Sequence, residues 1–85
     1  MESVLKRKAT KRLESWGWLV VHYIQTSLNG WPDTQIMRNG VSVYIEWKDL
    51  GKNPRELQLF RHKQIREAGA QVFVIDKIED IEKFK

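Results

Sequence analysis

Two carboxylates and a lysine lie around a predicted β-hairpin, and together they could hold a divalent cation. Asp33 precedes the dipeptide Asn39-Gly40, whereas Glu46 and Lys48 follow it. Asn-Gly supplies the two positive φ angles of a type I′ turn, which fixes which residues face each other across the hairpin. Asp33 is therefore predicted to face Glu46, and Lys48 should project from the same side of the sheet because it is two residues further on.

Like charges directly opposite one another destabilise a sheet unless another group neutralises them. The Lys48 ammonium could do so in part. A divalent cation would do so better, because carboxylate oxygens are the hard ligands that Mg²⁺ prefers. A polar strand face is the simpler interpretation of an E-x-K triplet alone, and the facing Asp33 is what favours a metal site.

The elements that position these groups can be predicted from the apolar pattern. A helix is expected over residues 2 to 16, because apolar residues recur there at helical spacing and Gly17 follows as a left-handed C-terminal cap. The β-branched and aromatic residues 18 to 25 predict a strand buried on both faces or nearly so. The hairpin is expected over residues 33 to 48.

A second helix is predicted after the hairpin, with Asn53 as its N-cap, Pro54 at the first helical position and Gly69 at its end. Gln58 and His62 lie one turn apart on this helix and could line a site beside the hairpin, although no role is assigned to His62 or to His22. The apolar side of the helix is expected to consist of Leu57, Phe60, Ile65 and Ala68.

The remainder of the chain predicts a short apolar strand over residues 71 to 75, in the centre of a sheet, and a final short helix capped by Asp76 and Glu79. A strand that follows a helix usually packs parallel to an earlier strand. Residues 1–85 are therefore predicted to form one domain of the α/β (α+β) class, in which helices flank a mixed sheet.

Composition limits the possible functions. A chain of 85 residues allows one small core, and the absence of cysteine excludes disulfides and thiolate metal sites. No apolar run is long enough to span a bilayer, and the charged start does not match a signal peptide, so a cytoplasmic protein with no membrane partner is expected.

The charge distribution favours a polyanionic partner. The net charge is +4 and the sequence pI is about 9.6, as expected of a nucleic-acid-binding protein. A solvated helix face would explain the basic residues near the start of the chain equally well. Two groups of cations could contact a phosphate backbone. They are Lys6, Arg7, Lys8, Lys11 and Arg12 near the start, and Arg55, Arg61 and Lys63 after Pro54.

Taken in order, the motifs resemble those of the PD-(D/E)XK nuclease superfamily. Within it, the chain resembles a minimal stand-alone VRR-NUC (viral replication and repair nuclease) domain. The resemblance extends from Glu2 to Asp76 and is carried by an early helix with a glutamate, then "GWPD", a hairpin, "IEWK", a helix beginning "NPRELQ", and "GAQVFVI". Each piece is weak alone, and the ordered set is fairly specific.

The resemblance implies a restriction-endonuclease-like αβββαβ core and a metal-dependent deoxyribonuclease that uses Mg²⁺ or Mn²⁺ and no small-molecule cofactor. It implies that Asp33, Glu46 and the backbone carbonyl of Trp47 bind the metal, and that Lys48 positions or activates the attacking water. The resemblance also implies that Glu2 is a helix carboxylate near the site, which could also bind metal. Gln58 corresponds to a glutamine that supports the substrate or the lysine.

The resemblance also implies an endonuclease acting on branched or duplex DNA, such as Holliday junctions, and a homodimer that presents two sites. It is compatible with a phage protein acting in a host cytoplasm. The sequence departs from the family pattern at Trp47, where a smaller aliphatic residue is commoner.

Two other classes of protein remain open. One is a non-catalytic basic module that binds nucleic acid, and the other is an adaptor that uses Trp16, Trp18 or Trp31 at a protein interface.

Overall fold

The computed structural model describes residues 1–85 and contains two α-helices, one 3₁₀ helix and one four-stranded sheet. The sheet order is β1-β2-β3-β4; β3 and β4 are parallel, and the other neighbours are antiparallel. The predicted order of elements and the mixed sheet flanked by helices are confirmed. The elements are α1 (Glu2–Ser15), β1 (Leu19–His22), β2 (Thr34–Arg38), β3 (Val41–Trp47), α2 (Glu56–Glu67), β4 (Gln71–Ile75) and the 3₁₀ helix (Ile78–Phe84).

The β2–β3 hairpin has the predicted turn and register. Asn39 and Gly40 have φ angles of 51° and 80°, as a type I′ turn requires. Arg38 pairs with Val41, and the ladder continues to the pair Thr34 and Ile45. The strands are slightly shorter than predicted, because the paired residues of β2 begin at Thr34 and do not include Asp33.

One face of the sheet forms the hydrophobic core with α1 and the 3₁₀ helix. Alternate residues of the hairpin point into this core. α1 ends at Ser15, and Gly17, whose φ is 91°, follows its C-cap Trp16. The buried hydrophobic cluster consists of Ala9, Leu13, Trp18, Ile36, Val43, Ile45, Trp47, Ile75, Ile81 and Phe84. No helix in the chain is both long enough and apolar enough to cross a membrane.

Both predictions of strand burial are wrong. The first strand lies at one edge of the sheet and is partly exposed, with Leu19 60% accessible. The strand Gln71–Ile75 lies at the other edge instead of the centre. β-Branched and aromatic residues favour extended backbone at edges as well as in the interior, so the type of residue did not determine the position of the strand.

The predicted start and apolar side of α2 also need correction. The helix begins at Glu56 after Arg55, whose N–H donates to Gln58 Oε1 at 2.8 Å, so Asn53 is not the N-cap. Leu57 and Phe60 are largely exposed. The helix contacts chiefly β4, and this narrow contact buries only two of its residues, His62 and Ile65.

The predicted cap of the last helix is wrong as well. Asp76 Oδ2 accepts the Gly51 N–H at 3.0 Å, and the N-cap of the 3₁₀ helix is Lys77, which makes no capping hydrogen bond with its side chain. Asp76 thus fixes the loop that leads from β3 to α2.

Candidate active site

The predicted functional residues converge at one end of the sheet. The start of β2, the end of β3 and the first turns of α1 and α2 meet there, and an open cavity of about 310 Å³ lies beside them. The cavity is lined by Met1, Glu2, Ser3, Lys6, Asp33 and Asp49.

Asp33 lies next to Thr34, which forms the last pair of the β2–β3 ladder with Ile45. One further step of this register would place Asp33 opposite Glu46. The Asp33 carbonyl accepts the Tyr23 N–H at 2.8 Å, which holds the backbone in place. One carboxylate oxygen, Oδ2, lies 3.7 Å from Lys6 Nζ, whereas Oδ1 is buried and has no hydrogen-bond partner. Burial raises the pKa of Asp33, whereas the Lys6 charge and the nearby backbone N–H groups of Asp33 and Trp47 oppose this rise, although neither N–H meets the geometry of a hydrogen bond.

Glu46 lies near the end of β3 and is almost fully buried. Burial raises its pKa to about 7, and the second cause is the negative charge of Asp33. Lys48 acts in the opposite direction. The charge of Asp33 thus acts on Glu46, as expected of two carboxylates at the same end of the hairpin, and burial makes their repulsion more costly.

Two residues one turn apart on α2 contact the Glu46 carboxylate. Gln58 Nε2 donates to Glu46 Oε2 at 3.3 Å, while Gln58 Oε1 accepts the Arg55 N–H. Because that backbone N–H needs an acceptor, it orients the amide so that its NH₂ group faces Glu46. His62 Nε2 lies 3.5 Å from Glu46 Oε1 without forming a hydrogen bond.

His62 was assigned no role from the sequence, although its spacing from Gln58 placed both on one helical face. Its imidazole is fully buried, and neither ring nitrogen has a hydrogen-bond partner. Burial lowers the pKa of His62, and the charges of Arg66 and Lys48 lower it further. A neutral imidazole beside a buried carboxylate is the consequence.

The donor set fits a hard divalent cation in part. Asp33 Oδ1 and Glu46 Oε1 are buried oxygens without partners, and such groups are rare unless an ion or water satisfies them. Glu2 shares the cavity with Asp33, and its charge raises the pKa of Glu46. No cluster of three or more acidic or histidine side chains has the proximity needed to hold a metal, so Glu2 does not complete the set.

Lys48 lies directly after β3, and its N–H donates to the Ile75 carbonyl at 2.9 Å. This bond belongs to the last pair of the β3–β4 ladder, Trp47 and Ile75. The side chain is 9% exposed and forms no ion pair, yet its charge lowers the pKa of both Glu46 and His62. An unpaired ammonium is thus held close to the two buried groups.

Trp47, the residue that departs from the family pattern, is accommodated by a hydrogen-bond chain beneath the site. Its Nε1–H donates to Thr34 Oγ1 at 2.8 Å, and Thr34 Oγ1 lies 3.0 Å from His22 Nδ1. His22 Nε2 lies 3.3 Å from Thr10 Oγ1, which itself donates to the Lys6 carbonyl. Since the Thr10 proton is already used, His22 donates from Nε2. Burial lowers the pKa of His22, which favours a neutral imidazole that accepts the Thr34 O–H at Nδ1.

The predicted phosphate-binding cations differ in their surroundings. Arg61 Nε donates to the Asn29 carbonyl at 2.7 Å, and Arg61 Nη1 donates to Gln64, so this guanidinium fastens the 23–33 loop to α2. Arg55 lies close enough to lower the pKa of Glu46. Lys63 is exposed on α2, and Arg7, Lys8, Lys11 and Arg12 are exposed on α1.

Comparison with known proteins defines the class to which this fold and site belong. No model of a known protein family matches the sequence, and a search of curated proteins finds no match. A solved structure described as a "VRR_NUC domain" superimposes with a TM-score of 0.86 and 30% sequence identity, over 98% of this chain and 91% of that chain. The mixed sheet with flanking helices is thus a nuclease-type fold.

At that identity and coverage, the chain belongs to the VRR-NUC family. The resemblance drawn from the motifs is confirmed.

Proposed function

We propose that the protein is a divalent-metal-dependent DNA endonuclease that hydrolyses phosphodiester bonds. The observation that carries the proposal is the pair of buried carboxylate oxygens without partners, one on Asp33 and one on Glu46. Burial and the charge of Asp33 both raise the pKa of Glu46, so a cation is needed before both carboxylates can be fully ionised at neutral pH.

In this proposal Asp33, Glu46 and the Trp47 carbonyl hold Mg²⁺ or Mn²⁺. Such an ion, when bound, polarises the scissile phosphate and lowers the pKa of a bound water. Gln58 keeps the Glu46 carboxylate in one orientation through its two hydrogen bonds. The Lys48 ammonium orients the attacking water or stabilises negative charge that develops on the phosphate, because no ion pair occupies it.

The proposed substrate is duplex or branched DNA, of which a Holliday junction is one example. The net charge of +4 and the exposed cations of α1 support a polyanionic partner. We further propose that the protein acts inside the cell, as a chain without cysteine suggests.

A homodimer is also proposed. Exposed apolar side chains support it, because Leu59 and Phe60 on α2 and Ile24 and Leu28 in the adjoining loop are each at least 42% accessible. An 85-residue chain buries a small core, and association would cover this apolar surface.

The purified protein should be incubated with labelled junction, flap and linear duplex DNA in Mg²⁺, Mn²⁺ or EDTA. Divalent-dependent cutting that is abolished by EDTA is expected, and the substrate series would identify the preferred structure. DNA binding without cutting under every condition would instead identify a non-catalytic binding module.

The site assignment is tested by Asp33→Ala, Glu46→Ala and Lys48→Ala, each of which should abolish cleavage and leave the fold intact. Gln58→Ala should lower cleavage by about 10- to 100-fold, because it removes a group that orients a metal ligand. Glu79→Ala is the matched control, since it removes an exposed acid on the 3₁₀ helix far along the chain. Divalent-dependent cutting retained in all of the first three variants would overturn the assignment.

A further inference from the structure

A groove lined by polar and basic residues runs between α1 and the edge strand β1, on the side of the molecule next to the candidate active site. It forms an open cavity of about 400 Å³ that is lined by Ser3, Lys6, Arg7, Thr10, Lys11 and His22. Three of these residues are cations, and none is acidic. The groove therefore has the charge expected of a surface that binds a phosphate backbone.

The groove is continuous with the cavity at the active site. Ser3 and Lys6 line both, and the Lys6 ammonium lies 3.7 Å from Asp33 Oδ2. Acidic residues occur only in the first cavity, where they are Glu2, Asp33 and Asp49. A strand held by the cations would thus lead directly to the carboxylates.

His22 and Thr10, which also line the groove, use their polar groups in hydrogen bonds within the protein. His22 and Thr10 are joined by the hydrogen-bond chain that continues through Thr34 to Trp47. Phosphate would therefore be attracted chiefly by Arg7 and Lys11, whose charges make no ion pair.

Helix geometry separates the cations of α1 into two sets. At about 3.6 residues per turn, Lys8 and Arg12 project from the flank of the Ala9–Leu13 core line opposite to Lys6 and Thr10. Accordingly, neither Lys8 nor Arg12 lines the groove.

We infer that the α1–β1 groove is the path by which one strand of the nucleic-acid substrate enters the active site, with Arg7 and Lys11 as its phosphate contacts. The inference rests on the proposed function in taking the substrate to be nucleic acid. It goes further in separating the cations on the substrate path from those that are not.

The test measures binding and not cleavage. Affinity for a fluorescein-labelled 20-base-pair duplex is followed by anisotropy in EDTA over a series of KCl concentrations. The double variant Arg7→Ala/Lys11→Ala is compared with Lys77→Ala/Lys85→Ala. Both remove two cations from exposed positions, so they change the net charge equally. Circular dichroism melts show whether both variants fold.

The groove variant is expected to bind about tenfold more weakly or worse, and the magnitude of its salt slope should fall by about 2, as for two lost phosphate contacts. The control should stay within about twofold of the wild type. Equal losses in both variants, no loss in the groove variant, or a wild type that binds no DNA would each overturn the inference. If the expected binding pattern appears without divalent-dependent cutting, the strand path stands and the proposed catalysis fails.

Discussion

Glu46 is held where its negative charge is costly. It is 4% exposed, lies near Asp33 in the register of the hairpin, and receives one hydrogen bond, from Gln58. The buried charge thus destabilises the metal-free protein, and it provides ligands that a cation can satisfy. This is the arrangement expected where a binding site, and not the fold alone, determines residue type.

The raised pKa of Glu46 predicts how stability depends on pH. Its pKa is about 7 in the folded protein and 4.5 ordinarily, so folding takes up a proton between these values. The contribution of Glu46 is therefore fully favourable below pH 4.5 and is lost as the pH rises through 7. Glu46→Gln removes this titration, so the variant should gain stability relative to the wild type over that range.

The measurement is urea unfolding in EDTA at several pH values, for wild type and Glu46→Gln. The relative gain should be about 1 to 3 kcal/mol, since each unit of pKa corresponds to about 1.4 kcal/mol. Titration of His62, whose pKa is lowered chiefly by burial, acts in the opposite direction in both proteins. A difference between the two proteins that does not change from pH 4.5 to 8 would contradict the assignment of a raised pKa to Glu46.

At the scale of elements, the contact between the 23–33 loop and α2 holds the residues that flank Asp33. Arg61 bonds the Asn29 carbonyl, and Gly30 packs directly against Leu57. Gly30 has a φ of 80°, and a Cβ there would lie 2.8 Å from Leu57 Cγ and 3.0 Å from its carbonyl oxygen. The close approach therefore requires glycine.

Gly30→Ala should destabilise the protein more than Gly51→Ala. Both positions have positive φ angles, of 80° and 77°, so each substitution costs about 1 to 2 kcal/mol in backbone strain. Nothing lies within contact of a Cβ at Gly51, whereas at Gly30 the overlap with Leu57 should add about 1 to 3 kcal/mol. Denaturant midpoints provide the measurement. Equal losses would mean that α2 is not fixed against the loop.

At the scale of the whole molecule, the two faces of the sheet are covered unequally. The core face is closed by α1 and the 3₁₀ helix, whereas α2 contacts chiefly β4 and leaves Leu57, Leu59 and Phe60 accessible. An apolar surface of this kind on a small domain commonly marks an interface.

The proposed homodimer predicts a mass of about twice 10.1 kDa by light scattering at micromolar concentration. Introducing charge with Leu59→Glu/Phe60→Glu should give monomers, because the carboxylates would have to be buried unpaired. Val41→Glu is the control, since Val41 is similarly exposed at the hairpin turn. A wild-type monomer would refute the dimer, and dissociation by the control alone would place the interface elsewhere.

The parts of the site that could be predicted from the sequence are those set by local geometry. The Asn39-Gly40 turn and the two-residue repeat of a strand were sufficient to determine that Asp33 continues the ladder toward Glu46, and the observed register agrees. The start of α2 was predicted less well, because Asn53 and the side chain of Gln58 are competing caps whose outcome depends on how the helix docks.

Tertiary structure alone decided which distant groups surround those carboxylates. Lys6 approaches Asp33, His62 is buried beside Glu46, and β1 and β4 lie at the edges of the sheet. Each of these arrangements depends on segments that are far apart in the chain. No periodicity encodes such contacts, because they depend on which faces of separate elements pack together. Local turn and strand geometry therefore placed the carboxylate pair, and long-range packing supplied its cations, its imidazole and its groove.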